Sequence, residues 1–405
     1  MKPLFLILSF VVPALAGAPG LPFSAVADRV RRQNPDLAAA RLRLGEAQGR
    51  LRQSGRLSNP ELEFDYTRNT SAAREHTLGV ALTQRFPLTA RLRYEKAVSR
   101  AQLANAEAEI RDVERKLIAQ AETAAVKLLA LQSQHDLRTK QLANSREQAA
   151  FLRKRVETGE ASPVDAMQVE LEARQIESEQ LQLTVEEAAL LGDLRPLLGF
   201  TGDQPLTLTG TLSAPQNTAA SGTTGNRPDV QAAGHAVEAA RAGLARERAS
   251  RMEDIGVGVS YERDRAEDAP EGLRTDQMLG VKVSIPLPLW NNNAGRIQEA
   301  EAASARAQQE AAAIRLRAEA EVSAARGEMK ALARLIDDLG TQLLPKAAEL
   351  EEQLRQTNAA GQAPLIEVLR ARDRRLQLER QRLDALRDYH LARVRFTAAS
   401  GQKLR

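Results

Sequence analysis

The feature that most constrains this chain is that it is written twice. "NPDLAAARLRLGEAQGRL" from Asn34 resembles "RPDVQAAGHAVEAARAGL" from Arg227. "ALTQRFPLTARLRYEKAVSRAQ" from Ala81 resembles "KVSIPLPLWNNNAGRIQEAEAA" from Lys282, and "TGEASPVDAMQVELEARQ" from Thr158 resembles "AAGQAPLIEVLRARDRRL" from Ala359. The three matches keep their order at an offset of about 200 residues and include Pro and Gly positions, which separates them from chance likeness between Ala-rich helices. Each half reads as helix, two strands, very long helix, tight turn, helix. The expected division is 19–200 for the first repeat, 201–226 for a Thr/Gly/Ser/Pro-rich connector and 227–405 for the second. Leu206, Leu208 and Leu212 suggest a short strand near the start of that connector.

The first opening helix is expected from Asn34-Pro35, an N-cap and N1 pair, to about Arg56. A proline-free helix follows the strands from about Thr89 to Thr158, roughly 100 Å long at 1.5 Å per residue. Gly159 ends it and Pro163 opens its partner. The counterpart runs from about Asn293 to Asn358, with Pro345 expected to kink or break it. Ile110, Val113, Leu117, Ala121, Ala124, Leu128 and Leu131 recur by threes and fours, as do Ile314, Ala318, Val322, Ala325, Met329, Leu332, Ile336, Leu339 and Leu343. Such spacing is a coiled-coil seam. Aromatic residues make up only 3% of the chain and Ala much of its apolar content, which suits helices packed closely side by side.

The strands behave differently. Leu62, Phe64 and Tyr66 alternate with Glu61, Glu63 and Asp65; Leu78, Val80 and Leu82 alternate with Gly79, Ala81 and Thr83. In the second half Ile255, Val257, Val259 and Tyr261 alternate with Gly256, Gly258 and Ser260, and Leu279, Val281, Val283 and Ile285 with Gly280, Lys282 and Ser284. A period of two gives each strand one apolar face. The hairpins are expected to turn at "TSAAR" and at a longer polar loop around "AEDAPEGLR". A soluble sheet needs an apolar partner for that face, and the helical seams are narrow and already used. Lipid needs no such partner, and strands of about 9–11 residues cross a bilayer at a tilt. Four strands cannot close, and an open edge is not tolerated in hydrocarbon. The expectation is therefore that copies pool strands, three copies supplying twelve, around a polar lumen.

Residues 1–18 read as an export signal: Lys2, an apolar run from Leu4 to Leu15, then Ala14-Leu15-Ala16 or Ala16-Gly17-Ala18 as cleavage register. The run of about 13 residues is short of the roughly 20 that span a bilayer as a helix. There are no cysteines, which excludes disulfides, thiolate metal sites and an N-terminal lipid-anchored cysteine. A net charge of +4 with well-mixed signs and no basic cluster among aromatics argues against nucleic acid as a partner. His76, His135, His235 and His390 are scattered, none at ligand spacing with a carboxylate or another His. No nucleophile elbow, P-loop or zinc-protease motif is present. Neither catalysis, a cofactor nor a resident metal is indicated. Trp290 suits an interfacial anchor or the strand-to-helix junction, with a packing role expected for its side chain.

With these pieces in place the chain resembles the TolC family of outer-membrane efflux channels. The carriers are the duplicated order, "NPELEF", "FPLTARLRYEKA", "IPLPLWNNNAGRI", "NRPDVQAA", "VETGEASPVDAMQVELEAR" and "LRDYHLARVRFTAASG". The chain length, "NPELE" and "PLPLWNNNAGRI" look most like the heavy-metal (cobalt–zinc–cadmium) branch. The resemblance implies a mainly α fold with a membrane β part: a TolC-like, duplicated helix-strand-strand-helix-helix unit, building a long α-helical coiled-coil barrel and contributing four strands to a 12-stranded trimeric transmembrane β-barrel. It implies a passive duct of a tripartite system, a homotrimer in the outer membrane with a periplasmic extension. An inner-membrane pump, of resistance-nodulation-division type, works through a periplasmic adaptor. The lipid-face residues would be Leu62, Phe64, Tyr66, Leu78, Val80, Leu82, Val257, Val259, Tyr261, Val281 and Val283. Adaptor-contact tips would hold Val156, Gly159, Ser162, Pro163, Gly361 and Pro364. Members often close the tip with acids just after the turn; Glu367 falls there, with Asp165 its repeat mate. Where some members carry a second acid one turn on, this chain has Arg370, poised to pair with a neighbouring acid. Glu367 and Asp165 equally fit helix N-terminal carboxylates favoured by the dipole. The competing readings are a periplasmic adaptor, which needs one hairpin and no duplication, and an exported structural coiled coil, which leaves the strands without purpose.

Overall fold

In the computed structural model the described residues are 20–401, apart from 71–73, 203, 216–223, 269 and 271. The expected export signal, the tail of the connector and most of the first hairpin turn lie outside them. The chain opens with β1 (Leu21–Pro22), α1 (Val26–Gln33) and α2 (Pro35–Gln53), then β2 (Glu61–Arg68), β3 (His76–Phe86), α3 (Arg91–Glu157) and α4 (Pro163–Leu197). The connector contributes β4 (Leu208–Thr209), which pairs in parallel with β1. The order then recurs: α5 (Pro228–Ala249), β5 (Ile255–Asp268), β6 (Gly272–Ser284), α6 (Ala294–Asp338), α7 (Leu344–Ala359) and α8 (Leu365–Ser400).

Asn34 is the hinge between the first two helices. Its Oδ1 accepts from the Leu37 backbone N–H at 2.9 Å, which satisfies an orphan donor of α2, and its Nδ2 donates to the Leu197 carbonyl at 2.9 Å. The sequence signal for this cap was read correctly, but α1 in front of it was not expected.

The backbone divides into two compact units. One comprises Met1–Ala39, Val113–Thr224 and Ala318–Arg405; the other Ala40–Asp112 and Gly225–Arg317. Among its described residues the first is built of long helices and the β1–β4 ladder. Its core follows the expected seam: Ala121, Leu128 and Leu131 of α3 are buried, as are Ala318, Val322, Ala325 and Ile336 of α6. Val322 and Ala325 pack with Phe396 and Ala399 of α8, and Ile336 and Leu339 with Leu378, Ala385, Leu386 and Tyr389.

Pro345 neither breaks nor sharply interrupts this path. A five-residue π-turn, Leu339–Leu343, precedes it, and the Leu344 N–H reaches back to the Leu339 carbonyl. The widened turn accommodates a residue that has no N–H to give. It also adds one residue to the seam. Leu343, expected inside, is 40% exposed, and Leu344 packs against the core in its place.

The second unit carries a four-stranded antiparallel sheet in the order β2-β3-β5-β6. Strands β5 and β6 are longer than expected: pairing continues through Ala266↔Arg274, Glu267↔Leu273 and Asp268↔Gly272, where a loop had been expected. Cross-strand pairing absorbs those polar residues, and Gly272 takes a positive φ of 82° at the turn. At the other end the sheet is tied to its helices. Thr89 Oγ1 donates to the Ala249 carbonyl at 2.8 Å, Arg91 pairs with Asp254 at 2.7 Å, and Asn293 Nδ2 donates to the Glu247 carbonyl at 2.8 Å. The "NNN" run is a turn device. Asn293 has a φ of 60°, and the side chains of Asn291 and Asn292 accept from the N–H groups of Asn293 and Ala294. Trp290 beside it is 95% exposed, so the expected packing role is not met within one protomer.

Candidate functional site

Two regions carry the predicted residues: the sheet and the helix-turn tips. In the sheet, register sorts side chains into rows. Leu62, Leu82, Val259 and Val281 stand abreast; Phe64, Val80, Tyr261 and Leu279 form the next row; Gln84, Val257 and Val283 lie on one side and Tyr66 and Leu78 on the other. All eleven predicted lipid-face residues therefore share one face. Most are exposed: Phe64 by 69%, Tyr66 by 64% and Val281 by 75%. Val80 and Val257 are half-buried, Val80 being flanked in its row by the larger Phe64 and Tyr261. No helix of the described residues is long and apolar enough to cross a membrane.

The opposite face is polar and tilted toward acid. Glu61, Glu63, Asp65, Glu262, Asp264 and Asp276 lie on it, with Arg85, Arg274 and Lys282. Arg85 pairs with Glu61 at 3.3 Å and Arg274 with Asp276 at 3.1 Å, while Thr77 Oγ1 donates to Asp264 at 2.8 Å. Gly79, Gly256, Gly258 and Gly280 keep much of this face low. Strands β2 and β6 are the two edges: among the described residues each pairs on one side only, β2 with β3 and β6 with β5.

At the tips the two repeats match closely. Gly159 has φ 75° and Gly361 φ 74°. The Glu160 N–H bonds the Arg155 carbonyl at 2.8 Å, and the Gln362 N–H bonds the Thr357 carbonyl at 3.0 Å, the six-to-one closure of a Schellman turn. A side chain added at either glycine would meet nothing, so the left-handed backbone alone asks for glycine. The next helices are capped differently. Ser162 Oγ accepts from the Val164 N–H at 3.2 Å, with Pro163 in the first turn, whereas Pro364 caps α8 without a side-chain bond. Val156 is half-buried; Ser162, Pro163, Gly159, Gly361 and Pro364 are exposed.

Asp165 and Glu367 stand in the first turns of α4 and α8 and are exposed. Arg370 is exposed one turn further on. Among the described residues the structure brings no acid to it within 4.0 Å, so the expected pairing does not form within one protomer. Val164, Met167 and Leu171 extend an exposed apolar stripe from the tip along α4, 62%, 72% and 69% exposed.

Sequence reasoning missed a polar cluster just inside the tip. Arg372 is buried and donates through Nη1 to Gln148 Oε1 at 2.6 Å, leaving Nη2 without a partner. Buried Ser145 faces Glu172 at 3.4 Å. Burial, then the nearby Asp373 carboxylate, lifts the Glu172 carboxyl, against the pull of Arg372 and Ser145. Polar side chains in an Ala-rich heptad give no spacing signal, and only the meeting of α3, α4 and α8 identifies them. The histidines hold one difference. His235 Nδ1 lies 3.3 Å from Glu238 Oε2, one turn along α5, while His390 Nε2 donates to the Ser213 carbonyl, 2.9 Å away. Among the described residues no group of three or more His, Cys, Asp or Glu is placed to hold a metal ion.

A duplicated helical chain whose four-stranded sheet exposes an apolar face and two free edges defines a class of membrane-channel subunit. The sequence matches the outer membrane efflux protein family over residues 26–199 and 220–402, and the chain belongs to that family, whose members are channels rather than enzymes. Comparison with curated proteins finds no match. Among solved structures, CusC is 21% identical with a TM-score of 0.76, covering 98% of each chain. The outer membrane protein VceC from Vibrio cholerae is 19% identical with a TM-score of 0.76, covering 94% of this chain and 96% of that one. The outer-membrane channel OprN is 17% identical with a TM-score of 0.79, covering 94% and 89%. At these identities the likeness establishes the fold.

Proposed function

We propose that three copies of this chain form the outer-membrane duct of a tripartite efflux system, fed by an inner-membrane pump of resistance-nodulation-division type through a periplasmic adaptor. The observation that carries it is the sheet: four antiparallel strands, apolar and exposed on one face, with β2 and β6 each paired on one side only. An even strand count lets β6 of one copy meet β2 of the next antiparallel, so three copies close twelve strands without an edge in hydrocarbon. The exposed stripe of Val164, Met167 and Leu171 supports helix packing between copies or against the adaptor, and the turns at Gly159 and Gly361 are the adaptor's contact points.

Heavy-metal cations are the substrate class proposed. The polar face of the sheet becomes the lumen wall, and its acids outnumber its bases, with Glu63, Asp65 and Glu262 held by no arginine among the described residues. Glu367, repeated three times on the axis, forms a cation-attracting ring at the tip, with Asp165 beside it; Arg370 replaces a second acidic ring.

The test is purification in mild detergent followed by planar-bilayer recording. A trimer that resists dissociation and conducts cations better than anions supports the reading. Recovery as a soluble monomer that opens no conductance defeats it.

A further inference from the structure

Past the apolar rows, the outward face of the sheet changes character. Arg263 lies opposite Leu78 on β3 and Gln277 on β6. Two residues further from the helices, Arg265 lies opposite His76 and Thr275, and His76 lies opposite Arg68. These residues continue the face that carries Leu82, Val80, Val259 and Tyr261, not the acidic face behind it. Arg263 and Arg265 are exposed, and among the described residues neither is held by a carboxylate. The contrast with the other arginines of β3 and β6 is direct. Arg85 and Arg274 face the acidic side, and each has its acid, Glu61 and Asp276. Among the described residues the one acid on the outward face of this region is Glu267, beside the turn.

The level of this row follows from the strand ends. All four strands join helices at the Glu61, Phe86, Ile255 and Ser284 ends and turn at the other. From the Phe86 row to the Leu78 row the apolar band runs about 26 Å along a strand, or about 20 Å vertically at the usual tilt, comparable to the outward band of outer-membrane barrels. Tyr66 and Tyr261 mark its far margin, where aromatic residues meet headgroups. Arg263 stands in the last of these rows, beside Leu78, and Arg265 in the next row out, both on the lipid side at the leaflet opposite the helices.

We propose that Arg263 and Arg265 bind the phosphate groups of lipids in the outer leaflet. Two guanidinium forks about two strand residues apart, with Gln277 and Thr275 as neutral hydrogen-bonding neighbours, suit a phosphate ester held against an apolar wall that takes the acyl chains. Charge complementarity selects the occupant: the outward face is apolar, then cationic, as a phosphorylated lipid is apolar, then anionic. Three copies would carry these two arginines at three places around the barrel. This rests on the outer-membrane reading above.

The experiment reconstitutes the full chain into phosphatidylcholine vesicles containing either lipid A or the same lipid with its phosphates removed. After gentle extraction, native mass spectrometry counts the retained lipid. The wild type is expected to retain the phosphorylated lipid in preference, by about fivefold for each arginine. R263Q/R265Q should insert and assemble as the wild type does but lose the preference, and R265Q alone should lose part of it. Equal retention of the two lipids by the wild type, an unchanged preference in the variants, or displacement of the lipid by inorganic phosphate overturns the proposal while leaving the channel reading intact. Failure of the wild type to insert at all overturns both.

Discussion

Leu82 of β3 stands directly opposite Val259 of β5, so the central ladder of the sheet joins one repeat to the other. Neither half makes this sheet alone. Each hairpin is a two-stranded ribbon, marginal by itself, and becomes part of a four-stranded surface only through the β3–β5 pairing.

That junction depends on a close approach at Gly258. A Cβ there would sit 2.8 Å from Thr83 Oγ1 and 3.3 Å from the Leu82 carbonyl oxygen, the latter a backbone atom that cannot rotate away. Gly258→Val is expected to cost about 1–3 kcal/mol as overpacking. Denaturant titration in detergent should show the loss as a lower unfolding midpoint, with a reduced yield of assembled oligomer. An unchanged midpoint would mean the ladder opens at this point.

Val281 lies in the middle apolar row and is 75% exposed. If that row faces lipid near the midplane, Val281→Arg should cost about 2–4 kcal/mol of stability in a bilayer. The same change at Lys282, on the polar face, keeps the charge and should be nearly silent. Comparing the two in lipid vesicles separates lipid exposure from a general intolerance of β6. Equal tolerance of both substitutions would place Val281 away from hydrocarbon.

Glu122 of α3 is 5% exposed, and burial lifts its carboxyl to about 7 despite the opposing charges of Arg31 and Arg393. Its folded value lies above the unfolded one, so the folded state holds the proton more tightly. The resulting stabilisation is complete below the unfolded value and is lost as pH rises through about 7. The loss over that window is about 3 kcal/mol. Glu122→Gln should flatten the fall in thermal stability between pH 5 and pH 8. A variant that keeps the slope of the parent would assign the pH response to another group.

Glu367 is exposed in the first turn of α8, with Asp165 at the matching place in α4. Glu367→Ala is expected to weaken block of single channels by divalent cations added on the tip side by about threefold to tenfold, and Asp165→Ala less, because a first-turn carboxylate acts partly on its own helix. Identical block in the Glu367 variant and the parent would remove the acidic ring from the conduction path.

The sequence by itself determined the two-fold writing of the chain, the order of elements in each half, the alternation of the strands and the glycine turns at Gly159 and Gly361. These are local properties: a period of two or 3.6, a left-handed residue or a cap is decided within a few positions. Only the tertiary structure decided what long-range pairing sets. It placed β3 beside β5 and carried the ladder through Ala266–Arg274, where composition suggested a loop. It shifted the seam from Leu343 to Leu344 through a π-turn that a proline in sequence does not announce, and it gathered Ser145, Glu172 and Arg372 from three helices. It also set Arg85 and Arg274 beside their acids on one face of the sheet and Arg263 and Arg265 on the other. Side-chain parity is fixed along a strand by its own residues, but which charges stand abreast depends on register, and register is settled between strands.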